Sequence, residues 1–167
     1  AFKQVFKTLY PKGHIRFAAK ACAHPAIFKI VIREGAGIDV ASYHETRCAV
    51  ESGAPPEQLD LNGNCKEDFL IAKAIQTDMV IVADSIEEFQ VVSGIARQMG
   101  KRPRVVMRIS GFELGHVTAE AIFTAGRWTK FGASLEDIPD FLNTLDRHPH
   151  IQLLGFHTHI GSQIADL

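Results

Sequence analysis

The chain has 167 residues, 46% of them hydrophobic and 22% charged, and its 18 Lys and Arg against 19 Asp and Glu leave a net charge of −1. This is too apolar and too balanced for a disordered chain, and too neutral for a protein that grips nucleic acid through its phosphates. No apolar run reaches the roughly 18 residues of a membrane span, and the opening Ala1-Phe2-Lys3-Gln4-Val5-Phe6-Lys7 lacks the apolar core and cleavage site of a signal peptide.

Along the chain, short β-rich runs alternate with stretches of helical period. Phe2, Val5, Phe6 and Leu9 fall at helical spacing, followed by a short apolar run at Ile15–Ala19. A helix is expected at Ala26–Arg33, a strand at Ile38–Ser42 and a helix at Glu45–Ser52 closed by Gly53. A strand at Leu59–Asn62 leads to a helix at Glu67–Gln76 and a nearly pure apolar strand at Met79–Ala83. The strongest helix is Ile86–Met99, opened by Ser85 with Glu88 at capping-box spacing and closed by Gly100. Arg104–Ile109 reads as a strand, Gly111–Ala133 as a long insertion, Leu135–Leu145 as a helix capped by Ser134, and Ile151–His159 as a last strand. Continuous apolar strands alternating with helices imply a parallel sheet buried on both faces, an α/β fold with right-handed crossovers. Cys22, Cys48 and Cys65 are odd in number and widely spaced, which suggests neither a disulfide framework nor a zinc knuckle but reduced, cytoplasmic thiols.

Ligands of α/β sheets and barrels bind at the carboxyl ends of the strands. Here those ends carry polar groups one after another: Lys20; Asp39 and Ser42, with His44 and Glu45 beyond; Asn62 and Asn64; Asp84 and Ser85; Arg108; His157 and His159. A common site follows from the repetition, although any one of these residues is ordinary. Lys20 in Phe17-Ala18-Ala19-Lys20-Ala21 is either a solvated lysine at a strand tip or a desolvated amine fit to form a Schiff base. Arg108, inside an apolar strand, needs an acid or anion, with Asp39 or Asp84 as structural candidates. His157 and His159 alternate onto one side of a strand. They can be satisfied core histidines, the support of a flat cofactor, or two ligands of a metal-dependent hydrolase that lacks an identified third. Gly161-Ser162 offers a loop that could present N–H groups to a phosphate.

Taken together, these segments resemble the group IV, fold-type III pyridoxal-phosphate decarboxylases: the diaminopimelate, ornithine and arginine decarboxylases of alanine-racemase-like barrel fold. Phe17-Ala18-Ala19-Lys20-Ala21 is similar to the family's Tyr-Ala-x-Lys-Ala, and Gly37-Ile38-Asp39-Val40-Ala41-Ser42 with Glu45 to its Gly-Phe-Asp-x-x-Ser and downstream glutamate. Gly63-Asn64-Cys65-Lys66, Val82-Ala83-Asp84-Ser85, Arg108-Ile109 and Lys130-Phe131-Gly132 follow in the family's order. His157-Thr158-His159-Ile160-Gly161-Ser162-Gln163 resembles a segment most familiar from diaminopimelate decarboxylases. The chain departs from the pattern at Phe17, Cys22, Tyr43-His44 and across Gly111–Thr129.

The resemblance implies an incomplete (β/α)8 barrel of the TIM type, about six βα units across residues 1–167, with the C-terminal β-domain absent. It implies pyridoxal 5'-phosphate as cofactor and no metal. Lys20 would hold the cofactor as a Schiff base and take part in proton transfer, His159 would stack on the ring, and Ser162 would bind the phosphate. Asp39, Glu45 and Arg108 would surround the ring, with His157 and Asn64 behind them. The implied reaction is decarboxylation of a small-molecule amino acid, diaminopimelate-like before ornithine or arginine, by a cytoplasmic homodimer that contacts neither nucleic acid nor membrane. A piece of this length is expected to be nearly inactive alone and to cover its open sheet edges by association. A non-catalytic, binding or regulatory relative is the alternative.

Overall fold

The computed structural model describes residues 2–111 and 129–160. Its elements run α1 (Phe2–Leu9), β1 (Arg16–Ala18), α2 (Pro25–Arg33), β2 (Gly37–Val40), α3 (Tyr43–Glu51), β3 (Leu59–Leu61), α4 (Asp68–Gln76), β4 (Val80–Ala83), α5 (Ile86–Met99), β5 (Arg104–Ser110), β6 (Ala133–Ser134), α6 (Ile138–Thr144) and β7 (Gln152–His157). The strands β1-β2-β3-β4-β5 pair in chain order, all parallel, and β7 continues the series on β5. The six expected strands are thus present in sequence, each reached through a helical crossover, as in part of a (β/α)8 barrel. The parallel sense brings every strand's carboxyl end to one side of the sheet.

Local chemistry explains the boundaries. Strand β1 stops one residue before Ala19, because the Cys22 N–H bonds the Ala19 carbonyl at 3.0 Å and turns Ala19–Ala21 into a single 3-10 turn that carries Lys20. Ser42 leaves the strand to cap α3, accepting the Glu45 N–H, and Ser85 caps α5 the same way through the Glu88 N–H. Gly100 closes α5 in the left-handed region at φ 61°, which glycine adopts without steric cost. His24, at the start of α2, caps with its ring: Nδ1 accepts the Ala26 N–H.

Two departures have physical causes. The expected helix Leu135–Leu145 is divided into a 3-10 turn at Leu135–Asp137, α6, and a second 3-10 turn at Leu145–Arg147. Pro139 has no N–H for the Leu135 carbonyl, which takes the Ile138 N–H in a tighter turn instead. Within the expected insertion, Ala133 and Ser134 add β6, pairing with Ile109 and Ser110 at the tip of β5. Along β7 a bulge falls at Leu154: Val105 pairs with Leu153, but Val106 pairs with Gly155. The extra residue brings His157 beside Arg108; without it Phe156 would stand there.

The core lies between sheet and helices, built on the fully buried Ile38, Leu59, Leu61, Ile81 and Met107 of the strands and Phe28, Phe89 and Phe141 of the helices. Phe89 meets Phe141 edge to face, their ring centroids 4.9 Å apart. Truncation of Phe89 to Ala should therefore cost about 3–5 kcal/mol of unfolding free energy by urea titration. Val91→Ala, on the exposed face of the same helix, should stay within about 0.5 kcal/mol.

Candidate active site

At the carboxyl ends of the strands lies a cavity of about 330 Å³, within the range of small-molecule sites. Lys20, Asp39, Asn62, Arg108, Phe131, His157 and His159 line it, with the small residues Ala18, Ala41 and Gly63 between them. A larger cavity of about 680 Å³ opens at the opposite, amino-terminal end, around the Arg16–Asp60 ion pair at 2.9 Å and Arg104. Only the smaller one gathers the amine, guanidinium, carboxylate and two imidazoles singled out above.

Each group is held differently. Lys20 is exposed on its 3-10 turn. Of the two readings left open by the sequence, its exposure matches the lysine at a strand tip: the turn carries the residue to the cavity rim. Asp39 is the third residue of β2 and half-buried, its Oδ1 sealed from water without a hydrogen-bond partner. Asn62 hydrogen-bonds the same carboxyl group. His157, beside Arg108 in the pairing of β5 and β7, has a buried Nδ1 that is likewise unpartnered. His159 lies just past the end of β7. Glu45 does not line the cavity; its Oε2 accepts the Ala41 N–H at 2.6 Å and fixes the start of α3. Ser162 lies outside the described residues, and Asn64 is exposed and outside the lining.

Arg108 is buried, and its partner is Asp84 rather than Asp39: Nη1 donates to Asp84 Oδ1 at 2.9 Å. The other carboxylate oxygen, Oδ2, accepts the Gly132 N–H at 3.3 Å. The guanidinium lies 4.5 Å from the ring centroid of Phe131. Gly132 takes φ +77°, and a Cβ there would come 3.0 Å from the Ile109 carbonyl carbon, so the turn that brings Phe131 onto Arg108 needs glycine. Asn62 was among the polar strand ends expected at the common site, whereas Phe131 was visible only within the Lys130-Phe131-Gly132 turn and nothing in one dimension assigned it to the cavity wall.

Two opposite pKa shifts follow from enclosure. Burial, aided by the nearby charges of Asp60 and Glu45, raises Asp39 from 3.8 to about 6 against the lowering effects of the Asn62 hydrogen bond and Lys20. Burial, with Arg108 and His159 nearby, lowers His157 from 6.5 to about 4, against the opposing charge of Asp84. Burial also lowers His159, followed by Lys20 and Arg108. The cavity wall thus favours a neutral carboxyl group and neutral imidazoles beside two cationic side chains.

A family model described as the pyridoxal-binding domain of pyridoxal-dependent decarboxylases matches residues 2–167. The chain belongs to that family. Among curated relatives it is 35% identical over 158 residues to the diaminopimelate decarboxylase of Zymomonas mobilis, covering 93% of this chain and 37% of the relative. It is 32% identical over 169 residues to that of Bacillus subtilis, covering 99% and 38%. A solved diaminopimelate decarboxylase from M. jannaschii in complex with L-lysine superposes with a TM-score of 0.84 at 30% identity, over 99% of this chain and 39% of that one. The diaminopimelate decarboxylase of Helicobacter pylori shares the fold at a TM-score of 0.89 and 22% identity, over 99% and 42%. The chain spans 35–41% of the length of these and the other first-ranking curated relatives. Pyridoxal phosphate is the cofactor the family implies, and the cavity fits it: an amine at the rim, a fixed guanidinium, and two buried polar atoms, Asp39 Oδ1 and His157 Nδ1, that lack partners within the protein. Among the described residues no group of three or more His, Cys, Asp or Glu is arranged to hold a metal ion.

The two shifts predict a masked pH dependence. Asp39 contributes stability that is full below 3.8 and lost as pH rises through about 6. His157 contributes stability that is full above 6.5 and lost as pH falls through about 4. Each is worth on the order of 3 kcal/mol and the two slopes oppose each other over the same interval. Asp39→Asn should therefore expose a loss of stability on acidification from pH 6.5 toward 4, and His157→Gln a loss as pH rises from 4 to 6, both read from urea midpoints.

Proposed function

We propose that the chain is the cofactor-binding part of a pyridoxal-phosphate-dependent amino-acid decarboxylase, with a diaminopimelate-like substrate ahead of ornithine or arginine. The observation that carries the reading is the convergence of Lys20, Asp39, Arg108, His157 and His159 on one small cavity at the strand ends, in a chain of this family. Similarity to several diaminopimelate decarboxylases supports the choice of substrate.

In this reading Lys20 would hold the cofactor through its amine and would move a proton at Nζ. Its exposed rim position lets it swing between cofactor and substrate. His159 supports the face of the ring from the β7 side. Arg108, held rigid by Asp84, presents its remaining donors to an anionic group. Asp39, raised to about 6, exchanges its proton within the cavity closer to neutral pH than an ordinary carboxyl group does. His157, neutral at that pH, accepts at Nδ1 without adding a competing charge. Ser162 is the phosphate ligand in this proposal, with Glu45 acting through the cap it forms on α3. The bound cofactor supplies an electron sink for the pair left when the bond to the substrate's carboxylate breaks.

The full-length protein is read as a cytoplasmic homodimer. The near-neutral charge and the unpaired Cys22, Cys48 and Cys65 support the compartment. No helix among the described residues is long and apolar enough to cross a membrane.

Titration of the full-length protein with pyridoxal phosphate should produce the visible absorbance band of lysine-bound cofactor. The band should vanish in Lys20→Ala and weaken in His159→Ala, and carbon dioxide release from diaminopimelate should follow it. A band that persists in Lys20→Ala would refute the assignment.

A further inference from the structure

Behind the cavity wall lies a buried polar chain of which the functional reading above uses only the Arg108–Asp84 end. The Lys66 side chain is 0% exposed, although it ends in an ammonium group. A lysine is almost never sealed in this way without specific partners. Its Nζ donates to the Gly63 carbonyl at 2.5 Å and to Glu88 Oε2 at 2.7 Å. The same Glu88 oxygen accepts the Asp84 backbone N–H at 2.7 Å. Asp84 in turn holds Arg108 through Oδ1 and the Gly132 N–H through Oδ2. Four charges, two of each sign, therefore balance across the loop after β3, the start of α5, the end of β4 and the middle of β5. Gly63 and Arg108 at the two ends of the chain line the cavity, whereas Lys66, Glu88 and Asp84 do not.

We propose that Lys66 and Glu88 are positioning residues that act through Asp84 to aim Arg108 into the cavity and to set its charge. Glu88 anchors the backbone from which the Asp84 carboxylate projects, so Asp84 cannot follow Arg108 if the guanidinium swings. Lys66 neutralises Glu88, so the two carboxylates do not together cancel the positive charge that Arg108 offers to a ligand. Without Lys66, one uncompensated negative charge would sit next to Asp84, and Arg108 would be drawn back from the cavity. Without Glu88, Lys66 would be a buried cation without its counter-ion, and the site would be more positive. The charged and titratable groups that face His157 are Arg108, His159 and Asp84, so its imidazole reports the balance of this chain.

The functional weight of the proposal rests on the cavity being the cofactor site, but its test does not. Histidine ring resonances of the full-length protein, followed by NMR against pH without cofactor, give the His157 midpoint directly. Lys66→Met should raise that midpoint by about half a pH unit and Glu88→Gln should lower it by a similar amount. The double variant Lys66→Met/Glu88→Gln, which removes both charges, should return it close to wild type. The Arg108 Nε–H resonance should be sharp in wild type, broaden in Lys66→Met and recover in the double variant. Shifts of the same sign in both single variants, or no shift in either, would overturn the proposal, because loss of packing alone does not reverse with the sign of the charge removed. Should Lys66→Met not fold, Glu88→Gln and the double variant carry the same comparison. Failure of the Lys20 absorbance test with these shifts intact would count against the cofactor reading and not against the relay.

Discussion

Asp84 and Arg108, bonded at 2.9 Å and almost sealed from water, impose the condition around which the carboxyl end of the sheet is built. Burying two charges costs several kcal/mol per ion, and only a fully hydrogen-bonded environment offsets it. That demand reaches outward. It recruits the Gly132 N–H, which brings the 130–132 turn and the short strand β6 against β5. It recruits Phe131 over the guanidinium. Through the Asp84 backbone it also requires Glu88, and through Glu88 the buried Lys66. The cavity floor is in this sense the visible surface of an electrostatic requirement that runs two layers deep.

The cavity itself depends on unequal treatment of like residues. Asp39 and Asp84 both stand toward the carboxyl side of the sheet, one within β2 and the other just past β4, with β3 between them. One has a buried oxygen without a partner and a pKa raised to about 6. The other has both oxygens bonded to cation and backbone. The first can gain or lose a proton near neutral pH, whereas both oxygens of the second are taken up by its contacts. His157 is kept neutral by burial, with the help of a cation on the adjacent strand. Proton-handling groups and fixed charges are thus sorted by position, although the sequence contains the same letters for both.

Much of this was legible in one dimension, because the period of apolar residues and the capping residues are local signals. The helix Ile86–Met99 matches its expected limits, since Ser85, Glu88 and Gly100 act on neighbours only a turn away. The polar strand ends were also legible, since parallel pairing makes a single position in each βα unit converge on one site. Features set by distant partners were not legible. The choice of Asp84 over Asp39 for Arg108 depends on sheet register, as does the bulge at Leu154 that exchanges Phe156 for His157 beside it. Pro139 was visible, yet its effect on α6 was lost beneath a strong helical pattern. The two residues of β6 are too few to carry any periodicity, and the burial of Lys66 beside Glu88 joins segments with no sequence relation.

The starts of α3 and α5 are made in the same way. In each, a serine accepts the N–H three residues on, and that glutamate reaches back to the N–H just before the serine, Ala41 in one case and Asp84 in the other. The serine and glutamate carry the structural work, which leaves the side chain before the serine free to differ: a methyl group at one strand end, a buried carboxylate at the other. The fold therefore separates a constant hinge from a variable letter. Over evolutionary time, such a device lets a lineage exchange the group presented to a ligand, one strand at a time, without rebuilding the helix behind it.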